Sequence, residues 1–233
     1  MTISLIHAEM QQTTYMKTSI TLCSIFLTAA LLSPRIVEAQ ATTYVSNLAQ
    51  TSTGSLVVGS NSWMASLFTT GNNAGGYVLN SIQLGMTDAS GNPSGFTVML
   101  YSEVGITGAF PGSSLDTLDG SLNPVTGGIF TYTPASTLTL SPATFYFIVL
   151  TAGTAIASGA YDWSLTIPNS YNPSGGWSAG GVAKSSDGSH WLLSSGSPQF
   201  AINATPIPEP EVLGLFGLGG LAFLWHRRKA KAV

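Results

Sequence analysis

Between residues 42 and 206 the chain alternates apolar and polar positions with a period of two. Ile82, Leu84 and Met86 alternate with Ser81, Gln83 and Gly85, and Phe96, Val98 and Leu100 alternate with Thr97, Met99 and Tyr101. Successive side chains of a strand point to opposite faces, so each run reads as a half-buried strand. Ser90-Gly91-Asn92-Pro93-Ser94-Gly95 separates them, and a Gly/Asn/Pro turn between two such runs predicts a hairpin. Leu138 and Leu140 alternate up to Ser141-Pro142, where the chain turns into residues 145–150, FYFIVL. That run is apolar on both faces and predicts a central strand covered on both sides. Tyr161, Trp163, Leu165 and Ile167 repeat the alternation against Asp162, Ser164 and Thr166, and Phe200 and Ile202 make a last short strand. Many short strands, turn residues between them and no helical period predict an all-β domain over residues 42–206. The expected architecture is a single antiparallel β-sandwich or jelly roll.

Both ends depart from this rhythm. Residues 1–15 hold neither a useful apolar run nor a basic start, and Met16-Lys17 opens a new pattern. Met16 therefore reads as the true start, with residues 1–15 an extension. From Ile20 to Leu32 the chain is apolar except for small polar residues, Pro34 ends the run, and Ala39 and Ala41 follow. A basic start, a short apolar stretch and an Ala-x-Ala exit read as a secretory signal peptide at 16–41, cut after Ala39 or after Ala41. Export then runs through the Sec translocon and signal peptidase. The apolar run is short for a membrane span, which takes roughly 20 residues. Cys23, the only cysteine, lies inside this leader and follows Leu22 rather than the small residue a lipoprotein signal needs. The mature chain thus has no disulfide, no thiol nucleophile and no thiolate metal site.

At the other end, Pro208-Glu209-Pro210 precedes an uncharged run at 212–225, apolar except for Gly214, Gly217, Gly219 and Gly220. Arg227, Arg228, Lys229 and Lys231 follow. As a helix, 212–225 spans about 21 Å against a hydrocarbon core of roughly 30 Å. The flanks favour a membrane helix over a buried one. Acidic residues at one end and basic ones at the other suit the helix dipole, and the basic cluster fixes a cytoplasmic C-terminus. Trp225 and the arginines reach toward the interface and make up length. Four glycines weaken the helix by roughly 1 kcal/mol each against alanine, so the expected anchor is a transient one in the inner membrane.

Pro208-Glu209-Pro210, the glycine-rich apolar run and the terminal Arg227-Arg228-Lys229 together resemble the PEP-CTERM sorting signal, over residues 207–233. Glu211 departs from the small residue common there. The resemblance implies recognition by an exosortase, a membrane transpeptidase-like enzyme of bacteria that make exopolysaccharide. It further implies cleavage near the motif and release to the cell surface or matrix. The body loosely resembles the R type of the choice-of-anchor surface domains. The matching residues are WMASLFTT at 63–70, GNNAGGY at 71–77, 96–101 before Ser102, Pro111-Gly112-Ser113 with Leu115 and Leu118, and Thr144-Phe145-Tyr146. That resemblance supplies no ligand.

Charge and chemistry narrow the function further. Residues 42–206 carry six acidic residues (Asp88, Glu103, Asp116, Asp119, Asp162, Asp187) and one basic, Lys184, a net of −5. A nucleic-acid partner is excluded on charge, as is attachment through a basic face. His190 is the only histidine of the body, and Asp187-Gly188-Ser189-His190 reads as a turn leading into a strand. No Gly-x-Ser-x-Gly elbow accompanies it. Asp116 and Asp119 are offset by three, which in a strand puts them on opposite faces. In a loop they would converge as a hydrolase pair, or bind calcium with Asn123, although dense calcium-loop ligands are absent. Trp63 and Trp163 sit in apolar strands and read as core. Tyr171, Trp177 and Trp191 stand among glycines, serines and prolines. They either clasp a long loop onto the body or stack on sugar rings. The expectation is a non-enzymatic exported surface or matrix protein linked to exopolysaccharide, without catalytic residues, cofactor or metal. Sugar binding through Tyr171, Trp177 and Trp191 is the alternative, and an extracellular hydrolase the third reading.

Overall fold

A computed structural model describes residues 40–105, 110–167 and 170–209. Residues 1–39 of the expected extension and leader, the expected anchor helix at 212–225 and the basic cluster lie outside the described residues. Among the described residues every regular element is a strand. In chain order these are β1 (Thr42–Ser46), β2 (Gly54–Val58), β3 (Trp63–Thr69), β4 (Tyr77–Gly91), β5 (Thr97–Glu103), β6 (Pro111–Leu118), β7 (Gly128–Tyr132) and β8 (Thr139–Leu140). They continue as β9 (Phe145–Thr151), β10 (Gly159–Thr166), β11 (Asn172–Pro173), β12 (Ser178–Ser185), β13 (Leu192–Ser194), β14 (Ser197–Pro198) and β15 (Phe200–Pro206).

The strands pair antiparallel in two sheets. One has nine strands in the order β11-β1-β15-β4-β10-β14, with β2 on β10 and with β7 and β8 on β4. The other has six, in the order β13-β12-β3-β9-β5-β6. The alternating run at 81–86 belongs to β4, a strand of 15 residues. Its buried apolar positions switch from odd (Tyr77, Leu79) to even (Ile82, Leu84, Met86). A register shift against β15 falls between, because Ser81 pairs with Asn203 and Leu79 with Ala204. One extra residue, Asn80, returns both sets to the same face, as a one-residue slip would otherwise turn half of them outward.

The expected hairpin across 90–95 does not form. β4 lies in the nine-stranded sheet and β5 in the six-stranded sheet, so the Gly/Asn/Pro segment carries the chain from one sheet to the other. Its polar groups are engaged elsewhere: Ser94 N–H donates to Thr154 Oγ1 (3.1 Å), and Gly153 N–H donates to Ser94 O (2.8 Å). Gly91 and Gly95 adopt φ of +61° and +68°, the left-handed backbone that lets the segment change direction twice. Ile167 also departs from expectation: it lies beyond the end of β10 and is exposed.

The 145–150 run behaves as the pattern predicts. β9 is central, between β3 and β5. Tyr146, Ile148 and Leu150 enter the main core, while Phe147 and Val149 on the opposite face join a second apolar cluster. The main core draws on both sheets. The Trp177 ring stacks on Tyr44 of β1 (4.7 Å between centroids, 11°) and on Phe68 of β3 (5.9 Å, 5°), and meets the edge of Tyr77 (4.9 Å, 75°). Trp163, fully buried, lies in the same core and donates its indole N–H to Gln199 O at 3.0 Å.

With few charges available, neutral polar side chains hold the outer side of β10. Ser164 and Thr166 point away from the apolar face yet are buried, Ser164 beneath the 47–53 segment. Gln199 is the hub: its Nε2 donates to Gln50 O (2.7 Å) and Asn47 O (3.2 Å), and its Oε1 accepts from Ser164 Oγ. Asn47 Nδ2 donates to Pro198 O (3.0 Å), and its Oδ1 accepts the Phe200 N–H (2.9 Å). The buried side-chain groups of Asn47, Ser164 and Gln199 each find a partner, the condition under which a polar core layer specifies one arrangement.

Candidate functional site

The one body histidine sits in a tight turn. Asp187 Oδ1 accepts the backbone N–H groups of Ser189 (2.8 Å) and His190 (2.9 Å) and the Ser185 hydroxyl (3.0 Å). Hydrogen bonds from His190 and Ser189 hold the Asp187 carboxyl far below the usual carboxylate range. His190 Nδ1 meets Asp187 Oδ2 at 2.8 Å and Ser189 Oγ at 3.0 Å. A catalytic triad needs the carboxylate on one ring nitrogen and the hydroxyl on the other, so that a proton passes through the imidazole. Here both partners share Nδ1, and the cluster closes the turn ahead of β13.

Asp116 and Asp119 are also set apart. Asp116, on the edge strand β6, pairs with Leu100 and shares its inward-facing side with Leu118. Its Oδ2 is buried without a hydrogen-bond partner. An inward charge on an edge strand discourages pairing with another chain. Asp119 lies past the strand in a bridge to Thr133 and is exposed. Asn123 Oδ1, the third ligand of the calcium reading, already accepts the Tyr161 hydroxyl at 2.7 Å. Among the described residues, no three His, Cys, Asp or Glu side chains gather to hold a metal.

The three candidate aromatics do not share a surface. Trp177 is 3% exposed, with its ring faces taken by Tyr44 and Phe68. It offers no face to a sugar, which corrects the stacking reading for this residue. The cause is local: Gly175 and Gly176 take φ of +58° and +77°, and the turn tips the indole inward. Tyr171 is half-buried against Phe200 (5.1 Å) and donates its hydroxyl to Pro198 O at 3.1 Å. Burial pushes its phenol pKa well up, with the neighbouring Ser66 and Ser197 hydroxyls acting the other way. Both residues therefore clasp the 170–177 segment onto the main core.

Trp191 lies elsewhere, on the outer face of the six-stranded sheet. There Leu67, Phe147 and Tyr101 form one row across β3, β9 and β5, and Ala183, Ala65, Val149 and Met99 form the next, starting on β12. Trp63, Phe110 and Trp191 pack half-buried over this floor. Trp63 thus belongs to the outer cluster and not to the main core. Gly188 lies against it, since a methyl there would stand 2.9 Å from the Trp63 ring. Tyr101, Phe110 and Trp191 are left half-buried on this face, Tyr101 on β5 and Trp191 at the opposite side beside β13. The signal was present in the two-faced apolar run of β9, whose outer face had to be covered by something.

The end of the body is built as carefully as its middle. β15 runs alongside β4 to the pair Pro206–Tyr77, and the next residues bond to the turn before β4. Ile207 N–H donates to Gly76 O at 3.0 Å, and Ile207 O accepts Asn73 Nδ2 at 2.9 Å. Asn73 Nδ2 also donates to Gly76 O at 2.6 Å. Glu209 then accepts the Ala74 N–H on Oε1 at 3.2 Å, while Pro208 and Glu209 stay exposed. Pro210 lies outside the described residues.

Residues 206–229 match the family model of the PEP-CTERM protein-sorting motif. The chain carries an exosortase sorting signal. The match begins at the last residue of β15, so the signal follows the folded body without a spacer. The motif marks the protein for export and for transient membrane sorting to the cell surface. No curated protein and no solved structure matches the chain. Among the described residues, no helix is long and apolar enough to cross a membrane.

Proposed function

We propose that this is a non-enzymatic surface or matrix protein of an exopolysaccharide-making bacterium, carrying a choice-of-anchor domain similar to the R type. In this reading its two sheets face one another as a β-sandwich around the shared core. The signal peptide at 16–41 directs export through the Sec translocon. The 212–225 helix then holds the chain in the inner membrane with a cytoplasmic basic stop until the exosortase cuts near Pro208-Glu209-Pro210. The observation that carries the reading is the sorting motif abutting β15. The separation of the acid–base groups supports the non-enzymatic part, because general acid–base work needs them converging on one reacting atom.

The test is intact mass and fractionation of the protein from a host with an exosortase. A surface product that ends near the motif is expected. Surface protein that still contains residues 212–233 would overturn the sorting reading. A second reading, polysaccharide binding, is favoured by the half-buried rings of Tyr101, Phe110 and Trp191 on the outer face of the six-stranded sheet. Flat half-exposed rings on a rigid sheet suit the C–H face of a pyranose. Reproducible binding on a glycan array, lost in Trp191→Ala and kept in Tyr171→Phe, would establish it.

A further inference from the structure

We propose that the turn from Asn73 to Gly76 is a docking site for the chain's own sorting motif, and that this contact slows processing. The inference rests on the sorting function above. Three groups at the start of the motif are committed to the body: the N–H and C=O of Ile207 and the carboxylate of Glu209. Enzymes that process extended peptides pair with the peptide backbone much as an added strand does. Ile207 already spends that pairing on Gly76 and Asn73.

The turn is shaped for this contact. A methyl on Gly75 would stand 2.6 Å from Ile207 O, and Gly76 has φ +76° with a methyl position 2.5 Å from Leu140 O. Asn73 is held in place by its N–H donating to the Tyr77 hydroxyl at 3.3 Å, on the ring that also meets Trp177. The dock is therefore assembled only when the core around Trp177 is packed. A folded body withholds its motif, and an unfinished one exposes it.

The experiment is a pulse–chase of the full chain in an exosortase-carrying host, read by intact mass, with the melting temperature of the released body measured in parallel. Asn73→Ala removes one bond to Ile207 and is expected to speed processing about fivefold, the equivalent of one ordinary hydrogen bond. A short Gly/Ser insertion between Ile207 and Pro208 frees Glu209 without touching the body and is expected to speed processing as well. If Asn73→Ala lowers the melting temperature, the insertion decides. Processing of the insertion variant at or below the wild-type rate would overturn the docking. A wild-type chain that is never processed would remove the sorting reading and this inference with it.

Discussion

Replacing Gln199 with leucine tests whether neutral hydrogen bonds stand in for the charges and disulfides this body lacks. The side chain is 6% exposed, so leucine fits the space but removes every polar contact. Three bonds disappear: two donated to Gln50 O and Asn47 O, and one accepted from Ser164 Oγ. Their partners are not equally stranded. Asn47 O keeps the Gln50 N–H at 3.0 Å, and Ser164 Oγ keeps Ser52 Oγ at 2.7 Å. Gln50 O suffers most. Taking roughly 1 kcal/mol for each of the two bonds whose partners stay satisfied, and about 1–3 kcal/mol for the stranded Gln50 carbonyl, the cost is about 3–5 kcal/mol. For a domain of this size that corresponds to roughly 6–20 °C in Tm. Urea unfolding of the body, with the m-value checked for constancy, is the assay. A loss below about 1 kcal/mol at unchanged m would show that the 47–53 segment is held by packing alone, and would refute the argument.

Three other outcomes follow from the same geometry. Ala143 is the one non-glycine residue with positive φ among the described residues, at 46°, and its methyl is exposed; Ala143→Gly should raise stability by about 1 kcal/mol in urea unfolding. Trp177→Ala empties the stack between Tyr44 and Phe68 and should cost about 3–5 kcal/mol by the same assay. The folded-state pKa of Asp187 is depressed, so its contribution is fully present above the usual carboxylate pKa and is lost as pH falls below it; the carboxyl carbon shift of Asp187 should stay flat in NMR from pH 7 to about 3.

What the sequence made legible was local. Alternation in 81–86 and 161–165, and the two-faced run of β9, each named a strand and its buried side, because a period of two is a property of the strand itself. Pairing is a property of distant segments. The stretch 90–95 has the composition of a hairpin turn, yet β4 pairs with β15, β10, β7 and β8 and never with β5. Composition reports that the chain bends there, not which sheet receives it. In the sequence Trp177 stays open between clasp and sugar platform for a related reason. Glycines around an aromatic look like an open loop, whereas here they supply the backbone that buries it. Gln199 gave no signal at all, since a buried glutamine hub depends on carbonyls some 150 residues away in the chain.

The position of β15 joins folding to sorting. It is the last strand, yet it lies between β1 and β4 in the interior of the nine-stranded sheet. The sheet is therefore incomplete until residue 206 has been exported, and its closing contacts are as non-local as the chain permits, with Thr42 opposite Ala204. Such contacts form late, because loop-closure entropy is spent before they are gained. The sorting motif begins where that strand ends. In the proposed reading, a membrane helix at 212–225 would hold β15 on the outer side while it inserts between its neighbours. Cleavage near 208–210 then removes nothing from the sheet. Had the motif overlapped β15, processing would have cut a central strand. With a long spacer, a folded body would have been cut as readily as an unfolded one. The abutment of strand and signal, together with the Asn73–Gly76 contact, ties the rate of release to the state of the body: once β15 is seated, Ile207 and Glu209 are held against it and cleavage slows.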